Sequence, residues 1–97
     1  MKNKIRAYQS EIRAEEIGFT NYEGIDESEL FDIVVNQLNK CDDIKIGKKQ
    51  VGPSEDFYEC SVGGLEFTLF NDIDYSTSIY AKEPHARKKI IERFNQD

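Results

Sequence analysis

Between residues 58 and 70 the chain alternates apolar and polar side chains on both sides of a glycine pair: Tyr-Glu-Cys-Ser-Val-Gly-Gly-Leu-Glu-Phe-Thr-Leu-Phe. Gly63 and Gly64 can both take positive φ without steric cost, which is what the type I′ turn of a two-residue hairpin demands. Counting outward from that turn pairs Val62 with Leu65, Ser61 with Glu66, Cys60 with Phe67, Glu59 with Thr68, Tyr58 with Leu69 and Phe57 with Phe70. Side chains alternate faces along a strand, so Tyr58, Cys60, Val62, Leu65, Phe67 and Leu69 share one apolar face. Glu59, Ser61, Glu66 and Thr68 share the other, and the same register turns Phe57 and Phe70 toward it.

Other segments carry the helical period. Ile5, Tyr8, Ile12 and Phe19 recur at near-helical spacing, which predicts an amphipathic helix over residues 3 to 16 closed by Gly18, with a first strand as the alternative. A second helix is signed by Asp26 as its capping residue, by Glu29 three positions on, and by Ile25 and Leu30 placed for a hydrophobic staple. Its apolar face is Leu30, Phe31, Val34, Val35 and Leu38, and it should end near Lys40. Residues 43 to 48 alternate as a short strand ending at Gly47 or Lys48, and residues 49 to 55, with Gly52-Pro53, read as a loop. A last strand is expected over residues 75 to 81 with Tyr75, Thr77, Ile79 and Ala81 inward, followed by a helix opened by Glu83-Pro84 with Ala86, Ile90, Ile91 and Phe94 as its apolar face. Lys88, Lys89 and Arg93 should face water near its end.

The predicted order is helix, helix, four strands, helix. The natural assembly is an α+β domain over residues 1–97, a four-stranded antiparallel meander packed against helices on its apolar face. The strand over residues 75 to 81 would then be a free edge.

Charge sharpens this picture. The net charge is −6, and residues 18 to 83 alone carry fourteen Asp or Glu against five Lys or Arg. Such an acidic body repels nucleic acid and anionic membrane, and attracts a basic protein. No apolar run approaches the ~18 residues needed to span a bilayer. The N-terminal stretch also lacks the apolar centre of a signal peptide, so the cytoplasm is the expected compartment. Cys41 and Cys60 lie far from any Cys-x-x-Cys spacing and are expected to be two free, buried thiols.

Candidate chemistry is sparse. His85 is the only histidine, which excludes sites that need two, and its place in a helix's first turn makes it a surface residue. Asp72, Asp74, Ser76, Ser78 and Glu83 match the offsets of a calcium loop, but Thr77 stands where the sharp turn needs glycine, so no metal is expected. Glu59 and Glu66 lie close on the polar face of the hairpin, without a cleft to raise a carboxyl pKa. No catalytic set and no cofactor are expected.

The polar sheet face remains. Glu55, Asp56, Phe57, Glu59, Glu66, Phe70, Asp72 and Asp74 would gather on it or at its rim as carboxylates around an aromatic pair. That composition suits a basic protein partner, unless the N-terminal helix lies over the two phenylalanines. In size, acidity, α+β make-up and lack of a catalytic set, the chain resembles the small immunity proteins of bacterial contact-dependent growth inhibition. The resemblance is one of type over the whole chain and transfers no residue roles. It implies neutralisation of a toxin domain, often a nuclease, by occluding its basic cleft. The alternative is an acidic nucleic-acid mimic or regulatory adaptor of a nucleic-acid-handling complex.

Overall fold

The computed structural model describes residues 5–21, 24–53, 55–72 and 76–95. Its elements are β1 (Ala7–Gln9), β2 (Glu16–Phe19), α1 (Glu27–Asn39), β3 (Ile44–Val51), β4 (Glu55–Val62), β5 (Leu65–Asp72), β6 (Ser76–Tyr80) and α2 (Pro84–Phe94). The strands form one six-stranded antiparallel sheet in the order β1-β2-β6-β5-β4-β3. This overturns the expected four-stranded meander and the order α-α-β-β-β-β-α.

The central hairpin is the one anticipated. β4 and β5 pair in the expected register from Val62↔Leu65 to Phe57↔Phe70, and continue through Glu55↔Asp72. Gly63 and Gly64 turn the chain with φ of 54° and 86°. Cys60, Val62, Phe67 and Leu69 are buried, and Tyr58 and Leu65 pack against them. Burial pushes the Cys60 thiol up to about 11, against lowering hydrogen bonds from the Gly47 and Leu69 backbone. Cys41 is also free but only half-buried, so just one of the two thiols is in the core.

The N-terminal helix is where the sequence misleads. Residues 7 to 19 form a hairpin, β1 against β2, pairing Ala7↔Phe19 and Gln9↔Ile17. Burial follows a period of two: Ile5, Ala7, Ile17 and Phe19 are in the core, while Tyr8 is 49% and Ile12 93% exposed. Gly18 ends no helix. It sits in β2, and Tyr8 lies so closely over it that an added Cβ would meet the phenol at 2.6 Å. β2 in turn pairs with β6 through Ile17↔Ile79 and Glu16↔Tyr80, so β6 is an interior strand and not a free edge. Its inward Thr77, Ile79 and Ala81 are buried as expected, while Tyr75 lies outside the described residues.

Both sheet edges have their own finish. At β1 the Ala7 N–H donates to Asn95 Oδ1 at 2.8 Å, and Asn95 Nδ2 donates to the Ala7 carbonyl at 3.0 Å. One side-chain amide thus does for Ala7 what a further strand would do. The other edge, β3, continues past the predicted end at Gly47 or Lys48, so residues 49 to 51 are strand and not loop. Between Ile46↔Cys60 and Lys49↔Tyr58, two residues of β3 face the single Glu59 of β4, which is a β-bulge. Gly47 sits in it because an added Cβ would come within 2.6 Å of the Glu59 carbonyl oxygen.

Both helices cover the same face. Leu30, Phe31, Val34 and Leu38 of α1, and Ala86, Ile90 and Phe94 of α2, join the inward strand residues in one core cluster. Phe94 meets Phe19 edge-to-face at 5.0 Å, which docks α2 on the N-terminal hairpin. Asp26 does hold the N-cap position of α1, but its side chain makes no capping bond. The Asn21 side chain instead brackets Ile25, accepting from its N–H at 2.9 Å and donating to its carbonyl at 2.8 Å. Arg93 does not point freely into water: its Nε lies 3.1 Å from the Asp43 carboxylate.

Candidate functional site

With both helices on one side, the opposite side of the sheet has no helix over it among the described residues. Alternation in the six strands decides what it presents. β4 contributes Glu55, Phe57 and Glu59, and β5 contributes Glu66, Thr68, Phe70 and Asp72. The expected alternative, a helix covering Phe57 and Phe70, is absent because the N-terminal segment extends the sheet edgewise.

Most of the carboxylates anticipated here are present, with two exceptions. Asp56 belongs to the inward row, in register with Val51 and Asn71, and its carboxylate lies 4.0 Å from Lys49 Nζ. Asp74 lies outside the described residues. The offsets that suggested a calcium loop run through β6, whose extended backbone is paired on both sides with β5 and β2.

The sequence did not bring Glu16 and Tyr80 to this face. They pair directly across β2 and β6, and Tyr80 also stands opposite Thr68. The outward position of Tyr80 follows from the inward set Thr77, Ile79 and Ala81, with Ser78 alternating likewise; its proximity to Glu16 depends on a strand pairing that no local pattern announces. Glu16, Glu55, Phe57, Thr68, Phe70 and Tyr80 line an open cavity of about 280 Å³. On the other side of Glu16 a second hollow of about 310 Å³ is lined by Tyr8, Ile12, Arg13, Gly18 and Ser78 among others. Glu59, Glu66 and Thr68 line a third of about 200 Å³ farther along the hairpin.

Two contacts order this face. The Tyr80 hydroxyl donates to Glu15 Oε2 at 2.7 Å, and Arg13 Nη1 lies 3.4 Å from Glu16 Oε2. The hydrogen bond to Glu15, and then the charge of that carboxylate, hold the Tyr80 phenol above its ordinary ionisation range. The folded protein therefore keeps this proton more tightly than the unfolded chain. Its contribution to stability is present below the ordinary tyrosine pKa and is lost as pH rises through the folded value. In Glu15→Gln the Tyr80 phenolate is expected to emerge at lower pH than in the parent, followed by NMR of the ring, while Glu92→Gln leaves it in place. An unchanged Tyr80 titration in Glu15→Gln would refute the assignment.

Compared with known protein families, with curated proteins and with solved structures, the chain finds no match. Among the described residues, no helix is long and apolar enough to cross a membrane. What the fold and the face define is a two-layer α+β protein: helices on one side of the sheet, and acidic and aromatic side chains on the other.

Proposed function

We propose that this protein is a non-catalytic binding protein whose helix-free sheet face docks on a basic protein, and that the partner is a toxin domain, a nuclease, whose active site is occluded. The role is that of the small immunity proteins of contact-dependent growth inhibition, acting in the cytoplasm. One observation supports it above the others: the Phe57 and Phe70 pair stands in register on the outer face, with Glu16, Glu55, Glu59, Glu66 and Asp72 on the same face. Aromatic rings in such a setting supply buried contact area, and carboxylates around them select a basic partner and speed its approach.

The test is capture of a partner from the organism that encodes the protein, washed at low salt and then at roughly 0.5 M, where the Debye length falls to about 4 Å. Retention of one basic domain through the wash is expected, with its purified nuclease activity blocked by this protein. Phe57→Ala should weaken the complex about thirtyfold, the effect of losing a contact worth ~2 kcal/mol. His85→Ala, on the exposed start of α2, should not. Retention of nothing, or of many basic proteins that all elute with salt, would refute specific neutralisation; the latter result would identify a general nucleic-acid mimic instead.

A further inference from the structure

We infer that the cavity between Phe57, Phe70 and Tyr80 is the seat of an arginine side chain, donated by the partner that the docking proposal above requires. The inference rests on that proposal for its biological context and on the cavity itself for its chemistry.

Three rings and two carboxylates line it, and each restricts the occupant. At about 280 Å³ the cavity falls just under the range of small-molecule pockets and fits a single side chain. An anion would meet Glu16 and Glu55, and an apolar group would leave Glu55 without a cation. Glu55 makes no ion pair among the described residues. It also stands directly across the ladder from Asp72, which adds to the negative potential beside it. Glu16 already receives a guanidinium, that of Arg13, from the side facing the second hollow.

Geometry favours arginine over lysine. Phe57 and Phe70 are cross-strand neighbours, and Tyr80 faces Thr68 two residue pairs farther along, so the rings form a wall with Glu16 beside Tyr80 at one end and Glu55 beyond Phe57 at the other. A planar guanidinium can lie against a ring face while its edge donates to a carboxylate, that of Glu55 here, whereas an ammonium is a point charge with a tightly held hydration shell.

The experiment uses a small probe on the whole protein. N-acetyl-arginine methylamide is titrated while the ring signals of Phe57, Phe70 and Tyr80 are followed by NMR. The isosteric but uncharged citrulline compound and the lysine compound serve as comparisons. Saturable shifts confined to those three rings are expected, with a dissociation constant in the millimolar range and binding at least tenfold weaker for citrulline and severalfold weaker for lysine. Phe57→Leu and Glu55→Gln should each weaken binding at least fivefold, and Glu92→Gln on α2 should not change it. Equal binding of citrulline, or shifts that grow linearly across all acidic positions, would overturn the inference. If a partner is captured and Phe57→Ala weakens it, yet the arginine probe does not bind, only the arginine seat fails. If the probe binds as expected and no partner is retained, the docking proposal fails and the seat stands.

Discussion

Replacing Phe94 by alanine is expected to destabilise the protein by about 3–5 kcal/mol in urea unfolding. Phe94 is 1% exposed and closes the last turn of α2 over the N-terminal hairpin, with Phe19 edge-to-face at 5.0 Å. Truncation removes a fully buried aromatic side chain and leaves a void that Phe19 and the strands of a sheet cannot easily fill. Against a total stability of ~5–15 kcal/mol, the loss is a large share of what holds the fold. The informative companion is Ile12→Ala. A helix over residues 3 to 16 would place Ile12 in the core and make its loss cost ~2–5 kcal/mol. In the hairpin it is 93% exposed at the turn, and the change should stay within about 0.5 kcal/mol. A large effect of Ile12→Ala together with a small one of Phe94→Ala would refute the hairpin.

Gly47→Val should cost ~1–3 kcal/mol, at the upper end of that range. The neighbour that a new Cβ would strike is a backbone carbonyl oxygen, that of Glu59, at 2.6 Å, and it cannot swing aside as a side chain could. Relief requires either β3 to lift from β4 or the bulge to move along the strand. Gly18→Ala meets an equally short distance, but to the far end of the Tyr8 side chain, which can rotate away. Gly18→Ala should therefore cost clearly less than Gly47→Val. Parity between the two in chemical denaturation would mean that the bulge is not held where the structure has it.

These contrasts show where local pattern suffices and where it does not. The β4–β5 hairpin was legible because its turn residues and both strand alternations agree independently. The two helices were legible because Leu30, Phe31, Val34 and Leu38, and likewise Ala86, Ile90 and Phe94, repeat at helical spacing between recognisable ends. β1 and β2 are only three and four residues long, too short for a period of two to stand out, and Ile5, Tyr8 and Ile12 match a helix by coincidence of spacing. β3 was cut short because two bulge residues shift its alternation by one position, so that Lys49 and Val51 follow Ile44 and Ile46 out of phase. The candidate site divides in the same way. Phe57, Phe70, Glu55, Glu59 and Glu66 followed from one hairpin, whereas Tyr80 joined them through the pairing of β5 with β6 and Glu16 only through that of β2 with β6.

That pairing has a consequence for the order of events in folding. Ile17 in β2 finds Ile79 in β6, and Ala7 finds Asn95, 88 positions along the chain. Contacts of such separation slow folding because chain entropy must be lost before they form. The hairpin that precedes the other strands in the chain thus waits for the late ones to be seated. On the ribosome, at roughly 5–20 residues per second, β1 and β2 would wait several seconds for β6 and α2 to emerge, with Ile17 and Phe19 uncovered. Over that interval the charged residues around the hairpin, Arg13, Glu15 and Glu16, are its protection against premature association.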